Sequence, residues 1–132
     1  MKVKKTERGW PGHFCCGEDC IYHRNTLLQY GDTYIVVSTV GKYLSRLSYN
    51  YRNRKDYTYE TVRSGCYYET MAFFSDVSDT RYYDMDVNKQ IKIDSDTLLD
   101  LMDADDVADT MHNRVVSELS RKLKAGTITT VI

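Results

Sequence analysis

Apolar side chains recur at four-residue steps in the last third of the chain, at Val107, Met111, Val115, Leu119 and Leu123, with Ala108 and Val116 widening the stripe. That period belongs to an amphipathic helix with one apolar face, expected over Ala104 to Ala125. Asp103 is a plausible N-cap, Asp105 and Asp106 complement the positive end of the helix dipole, and Arg121, Lys122 and Lys124 precede the stop at Gly126. Upstream, Asp94 or Ser95 is placed to cap a short helix carrying Leu98, Leu99, Leu101 and Met102, so two C-terminal helices in tandem are expected.

The middle of the chain has a different rhythm. Asn25–Tyr30 and Thr33–Val40 are β-type runs around Gly31-Asp32, where glycine in the first central position suits a type II′ hairpin turn. Apolar residues occupy both parities of Thr33–Val40, which predicts a central strand covered on both faces. Tyr67–Ser75 resumes β chemistry, and a polar turn over Asp76–Thr80 leads to an expected strand at Arg81–Val87 and a short one over Gln90–Ile93. Between Lys42 and Arg63 the chain is polar, basic and tyrosine-rich, and reads as a long excursion or an irregular hairpin.

These patterns predict an α+β fold: an antiparallel β-rich body over 8–93 followed by a helical part over 95–126, in one domain spanning 1–132. The 18 Lys+Arg and 19 Asp+Glu give a net charge of -1, which disfavours a generic coat for polyanionic DNA or an acidic membrane. The balance is uneven, since residues 1–66 carry 11 basic against 6 acidic side chains and residues 67–132 carry 7 against 13. The first half can therefore hold anions, or the two halves can pair within the chain or within an oligomer. No apolar run has the length of a signal peptide or a membrane span, so a cytosolic protein with reduced cysteines is expected.

Several groups of residues could carry chemistry. His13, Cys15, Cys16, Cys20 and His23 are five potential zinc ligands, but they lack knuckle spacing and only Cys66 lies further downstream; buried thiols beside a turn are the alternative. Asp94, Asp96, Asp100, Asp103, Asp105, Asp106 and Asp109 could converge on a hard cation, although helix caps and a solvated face account for most of them. No metal or cofactor is assigned. Arg114 and Arg121 are two helical turns apart, roughly 10 Å, and could grip two phosphates from one face; the alternative for Arg114 is an ion pair with Glu118. The stretch Arg46–Arg63 interleaves cations with flat rings, the two ingredients of nucleotide recognition, while tyrosines in β proteins also serve cross-strand packing. Phosphate-binding glycine loops and hydrolase motifs are absent, which leaves catalysis no visible foothold.

Five blocks carry a family likeness: Arg8-Gly9-Trp10-Pro11-Gly12-His13-Phe14, His23-Arg24-Asn25-Thr26-Leu27-Leu28 with Tyr30, Val36–Gly41, Tyr67–Phe73, and Asp84 with Asp86–Ile91. In this order they resemble the phage Thoeris anti-defence protein one family. The resemblance implies a sponge that binds, without cleaving, a TIR-generated cyclic ADP-ribose isomer of bacterial Thoeris immunity. It further implies a second site for CBASS cyclic trinucleotides, homo-oligomers such as dimers or hexamers, and residence in the cytoplasm of the infected host, while the near-zero net charge and the lack of a spanning apolar run argue for no long nucleic acid and no membrane as partner. Carried onto this chain, it nominates Asn88 for the ligand, Phe74 or Tyr82 for adenine stacking, Arg114 and Arg121 for the pyrophosphate, and Arg24 and Thr39 for the second site. Met111-His112-Asn113-Arg114 departs from the Met-His-Glu associated with the family, and that places Arg114 in question. The competing readings are a phosphodiesterase acting on the same messengers and a nucleic-acid-binding phage protein.

Overall fold

A computed structural model describes residues 2–13, 20–44, 59–76, 78 and 81–131. The elements are β1 (Lys4–Glu7), β2 (Cys20–Tyr30), β3 (Thr33–Tyr43), β4 (Tyr68–Ser75), β5 (Met85–Gln90), β6 (Leu98–Leu99) and a single helix, α1 (Asp105–Ala125). Gly31 takes a φ of 60°, as the first position of a type II′ turn requires, and pairs Tyr30 with Thr33 across the hairpin. The antiparallel sheet runs β1-β2-β3-β4-β5, with β6 on β4 as well. As the apolar pattern predicted, β3 is central, and Ile35–Gly41 are all buried.

One face of β2-β3-β4 receives α1. The buried residues of the helix, among them Ala108, Met111, Val115, Leu119 and Leu123, keep the 3.6-residue period, whereas the strict four-residue step drifts around the helix and leaves Val107 42% exposed. The core has two apolar parts. Leu28, Ile35, Val37, Ala72 and Ile91 meet Val115, Val116, Leu119 and Leu123, while Tyr68 meets Ala104, Ala108 and Met111. The opposite face is crossed by residues 8–13: a Cβ on Gly12 would lie 2.4 Å from Ser38 Oγ and from Val40 Cγ1, so only glycine fits this close approach. No helix among the described residues is long and apolar enough to cross a membrane.

Three expectations are corrected. The second C-terminal helix does not form: Leu98 and Leu99 pair with Glu69 and Tyr68, and Tyr67 and Thr70 donate backbone hydrogen bonds to Leu99 and Thr97. The open edge of β4 thus satisfies a segment too short to sustain a helix alone. Asp103 does not cap α1, whose N-cap is Ala104 without a side-chain bond; the Asp103 carboxylate is 2.5 Å from Lys42 Nζ. The strand expected at Arg81–Val87 begins later, at Met85, because Arg81 and Tyr82 lie in a turn and Tyr83 adopts a φ of 50°. The end of the chain folds back beside β5: Val131 donates to Gln90, Lys92 to Thr129, and Ile91 bridges Thr130.

Candidate functional site

Where the β2–β3 turn, the end of β4, β5 and the C-terminal tail meet, a cleft of about 500 Å³ opens between Thr33, Tyr34, Phe74, Ser75, Lys89 and Thr130, with Asp32 at its rim. Cross-strand pairing of Ile35 with Phe74 puts the phenylalanine on the core face, where it leans on the core, whereas Tyr34, the neighbour of Ile35, projects from the other face at the same end of the sheet. The Tyr34 ring stacks on Tyr83 with centroids 4.0 Å apart and planes 10° from parallel. Ser75 is buried, and its hydroxyl has no hydrogen-bond partner among the described residues. The cleft thus joins flat apolar surface and an ammonium group, a combination suited to a base with a phosphate nearby, while the Ser75 hydroxyl lies buried beneath it.

Of the residues nominated from sequence, Phe74 lines this cleft. Asn88 lies in the irregular part of β5, its backbone N–H bonded to Asp86 Oδ1 and its side chain exposed next to Lys89. Tyr82 is on the neighbouring turn, under the Arg81 guanidinium at 4.5 Å and edge-on to Trp10. Arg114 is elsewhere, at a recess of about 120 Å³ with Leu98, Leu99, Val107 and Met111, and Arg121 is exposed further along α1. The anticipated Arg114–Glu118 pair does not form among the described residues. Glu118 instead accepts from the Asp94 and Ser95 backbone N–H groups, the Ser95 hydroxyl and Lys122. Burial alone would raise its pKa, but these bonds hold it at about 2. Tyr34, Ser75, Lys89 and Thr130 were not singled out from the sequence; the excess of tyrosines was the available signal.

Arg24 and Thr39 are cross-strand partners with different surroundings. Arg24 borders a second cleft of about 300 Å³ with Lys5, Thr26 and Asn113, and its guanidinium already grips Glu7 and Asn113. Thr39 is wholly buried beneath α1 and bonds Thr70 and His112, so it offers no surface to a ligand within the chain. These bonds belong to a polar layer between the two apolar parts of the core. Glu7 accepts from Thr26 at 2.5 Å, so the Thr26 oxygen accepts from His112 Nε2–H, Nδ1 accepts from Thr39, and Thr39 accepts from Thr70. Burial, aided by the Arg24 charge, lowers the His112 pKa to about 4 and keeps the ring neutral.

A second buried histidine occupies the other face. Ser38 Oγ lies 2.8 Å from His13 Nδ1, and His13 Nε2 lies 2.8 Å from Glu69, whose other oxygen meets Arg63. The order hydroxyl, imidazole, carboxylate resembles a hydrolase triad, but Ser38 is wholly buried under Gly12 and also accepts the His13 backbone N–H. The arrangement fastens the crossing segment to the sheet. Both ring nitrogens of His13 are therefore engaged by Ser38 and Glu69; Cys15 and Cys16 of the candidate zinc-ligand group lie outside the described residues, as does most of the Arg46–Arg63 stretch. Among the described residues no three His, Cys, Asp or Glu side chains are grouped to hold a metal. The aspartate series is dispersed: Asp94 meets Lys122, Asp103 and Asp105 meet Lys42, and Asp109 accepts from Tyr22. The two Lys42 pairs join the basic first half to the acidic second half inside one chain.

The chain matches no protein-family model, no curated protein and no solved structure.

Proposed function

We propose that this protein is a non-catalytic phage sponge that sequesters a TIR-generated cyclic ADP-ribose isomer of Thoeris immunity in the host cytoplasm. The observation that carries the reading is the cleft lined by Phe74, Tyr34 and Lys89, which offers ring surface for adenine and a cation for phosphate. The block resemblance supplies the identity of the ligand. Asn88 and Tyr82 flank the cleft, while Arg114 and Arg121 line no part of it and are assigned to the messenger from a second subunit of a homo-oligomer with ligand sites between protomers. A CBASS cyclic oligonucleotide is assigned to a second site beside Arg24.

A stoichiometric sponge needs submicromolar affinity, on the order of 8 kcal/mol or more. The test is to mix the purified protein with the messenger, remove unbound ligand, heat the complex and identify what is released by chromatography and mass spectrometry. Intact messenger is the expected result. A cleaved product would make the protein a phosphodiesterase, and no retention would end the sequestration reading.

A further inference from the structure

On the face of the sheet opposite α1, Arg8 and Asn25 present hydrogen-bond donors that nothing among the described residues accepts. Arg8 Nε donates to Asn25 Oδ1 at 2.8 Å, and Nη1 donates to the Tyr82 carbonyl at 2.6 Å and the Tyr83 carbonyl at 3.4 Å. The Trp10 ring covers the guanidinium at 3.8 Å. Arg8 Nη2 and Asn25 Nδ2 remain, both buried and both without a partner among the described residues. Asn25 is wholly buried, so water on the protein surface does not satisfy its amide. His23, two residues along the same face of β2, adds a buried and unpartnered Nδ1.

Unsatisfied buried donors each cost free energy of order 1–3 kcal/mol, more beside a charge, so a cluster of them is seldom idle. Both groups in this one are pure donors, and Arg8 makes no ion pair among the described residues; burial lowers its pKa, and the charge of the more distant Asp84 offsets this only in part. The missing partner is therefore an acceptor, and a negative one. We propose that Arg8 and Asn25 form an oxyanion site that takes one phosphate group, held by Arg8 Nη2 and Asn25 Nδ2, with Trp10 walling one side. The site stands on its own geometry and does not depend on the sequestering reading, since it is distinct from the Phe74 cleft.

The test uses inorganic phosphate as the probe and chloride at matched ionic strength as the control. The Arg8 Nε–H, the Asn25 side-chain amide and the Trp10 indole N–H are followed by NMR. The expected result is a saturable shift of all three with phosphate and not with chloride. Asn25→Asp replaces the free donor by a carboxylate that pairs with Arg8, so this variant should keep or gain thermal stability while its phosphate affinity falls at least about tenfold, the worth of one charge-assisted hydrogen bond. Arg8→Lys, which keeps the charge but cannot serve both carbonyls and an anion, provides a second variant with the same expected loss should Asn25→Asp fold poorly. No phosphate-specific shift in the native protein would mean that only water meets these donors, and would overturn the proposal. Equal shifts in native protein and variants would overturn it too, as general charge screening.

Discussion

His112 is the residue on which the interior is most finely set. Its two ring nitrogens are spoken for by Thr26 and Thr39, and the direction of every proton in the chain from Thr70 to Glu7 follows from the carboxylate at the end. Protonation would force Nδ1 to donate toward Thr39, reversing that order inside a layer with Arg24 close by. The folded pKa of about 4 lies below the ordinary 6.5, so within this window the unfolded chain binds a proton that the folded chain refuses. Stability is then complete above pH 6.5 and declines as the pH drops toward 4, by about 3 kcal/mol in all. Urea unfolding at stepped pH checks this: His112→Gln, which cannot charge, should flatten that portion of the profile. An unchanged slope in the variant would assign the proton elsewhere. Below the ordinary 4.5 of a glutamate, the depressed pKa of Glu118 adds a second decline that runs toward pH 2 and persists in His112→Gln.

At the scale of elements, α1 offers a direct comparison of pattern with packing. The four-residue step nominated Val107 and Val115 equally, yet Val115 is wholly buried between Leu28, Ile35 and Leu119 while Val107 lies outside the contact. Val115→Ala should cost about 2 kcal/mol, from two lost methyl groups and the space they leave, and Val107→Ala should fall within about 0.5 kcal/mol of native. Thermal unfolding of both variants decides it, and equal losses would mean the helix is seated differently. The same contrast explains what was readable beforehand. The β2–β3 hairpin, the doubly covered β3, β4 and α1 announce themselves through local period, turn chemistry and apolar runs. β6 and the late start of β5 do not, because the first exists only as a partner for the open edge of β4 and the second is delayed by a turn that Arg8, 74 residues away, fastens through the Tyr82 carbonyl. The cleft was legible only at Phe74. Lys89 and Thr130 reach it through pairings of β5 with β4 and of Ile91 with the tail, which no local pattern encodes.

For the whole molecule, the separation of the nominated ligand residues is itself a statement about assembly. Phe74 and Lys89 line one cleft, Arg114 borders another recess, and Arg121 lies on the exposed side of the helix. If one messenger touches both sets, the arginines come from a second subunit, and a mixing experiment tests that arrangement. Phe74→Ala and Arg121→Ala chains should each retain far less messenger than the native chain when assayed alone. Refolded together into symmetric dimers, about half the molecules are mixed, and each mixed molecule has one site built from two native surfaces and one that is doubly altered. About a quarter of all sites should therefore recover native affinity, read as the stoichiometry of retained ligand. Recovery requires that the two surfaces belong to different chains. Its absence, with each variant folded and each defective alone, would place Phe74 and Arg121 around a site within one subunit and remove the assembly argument.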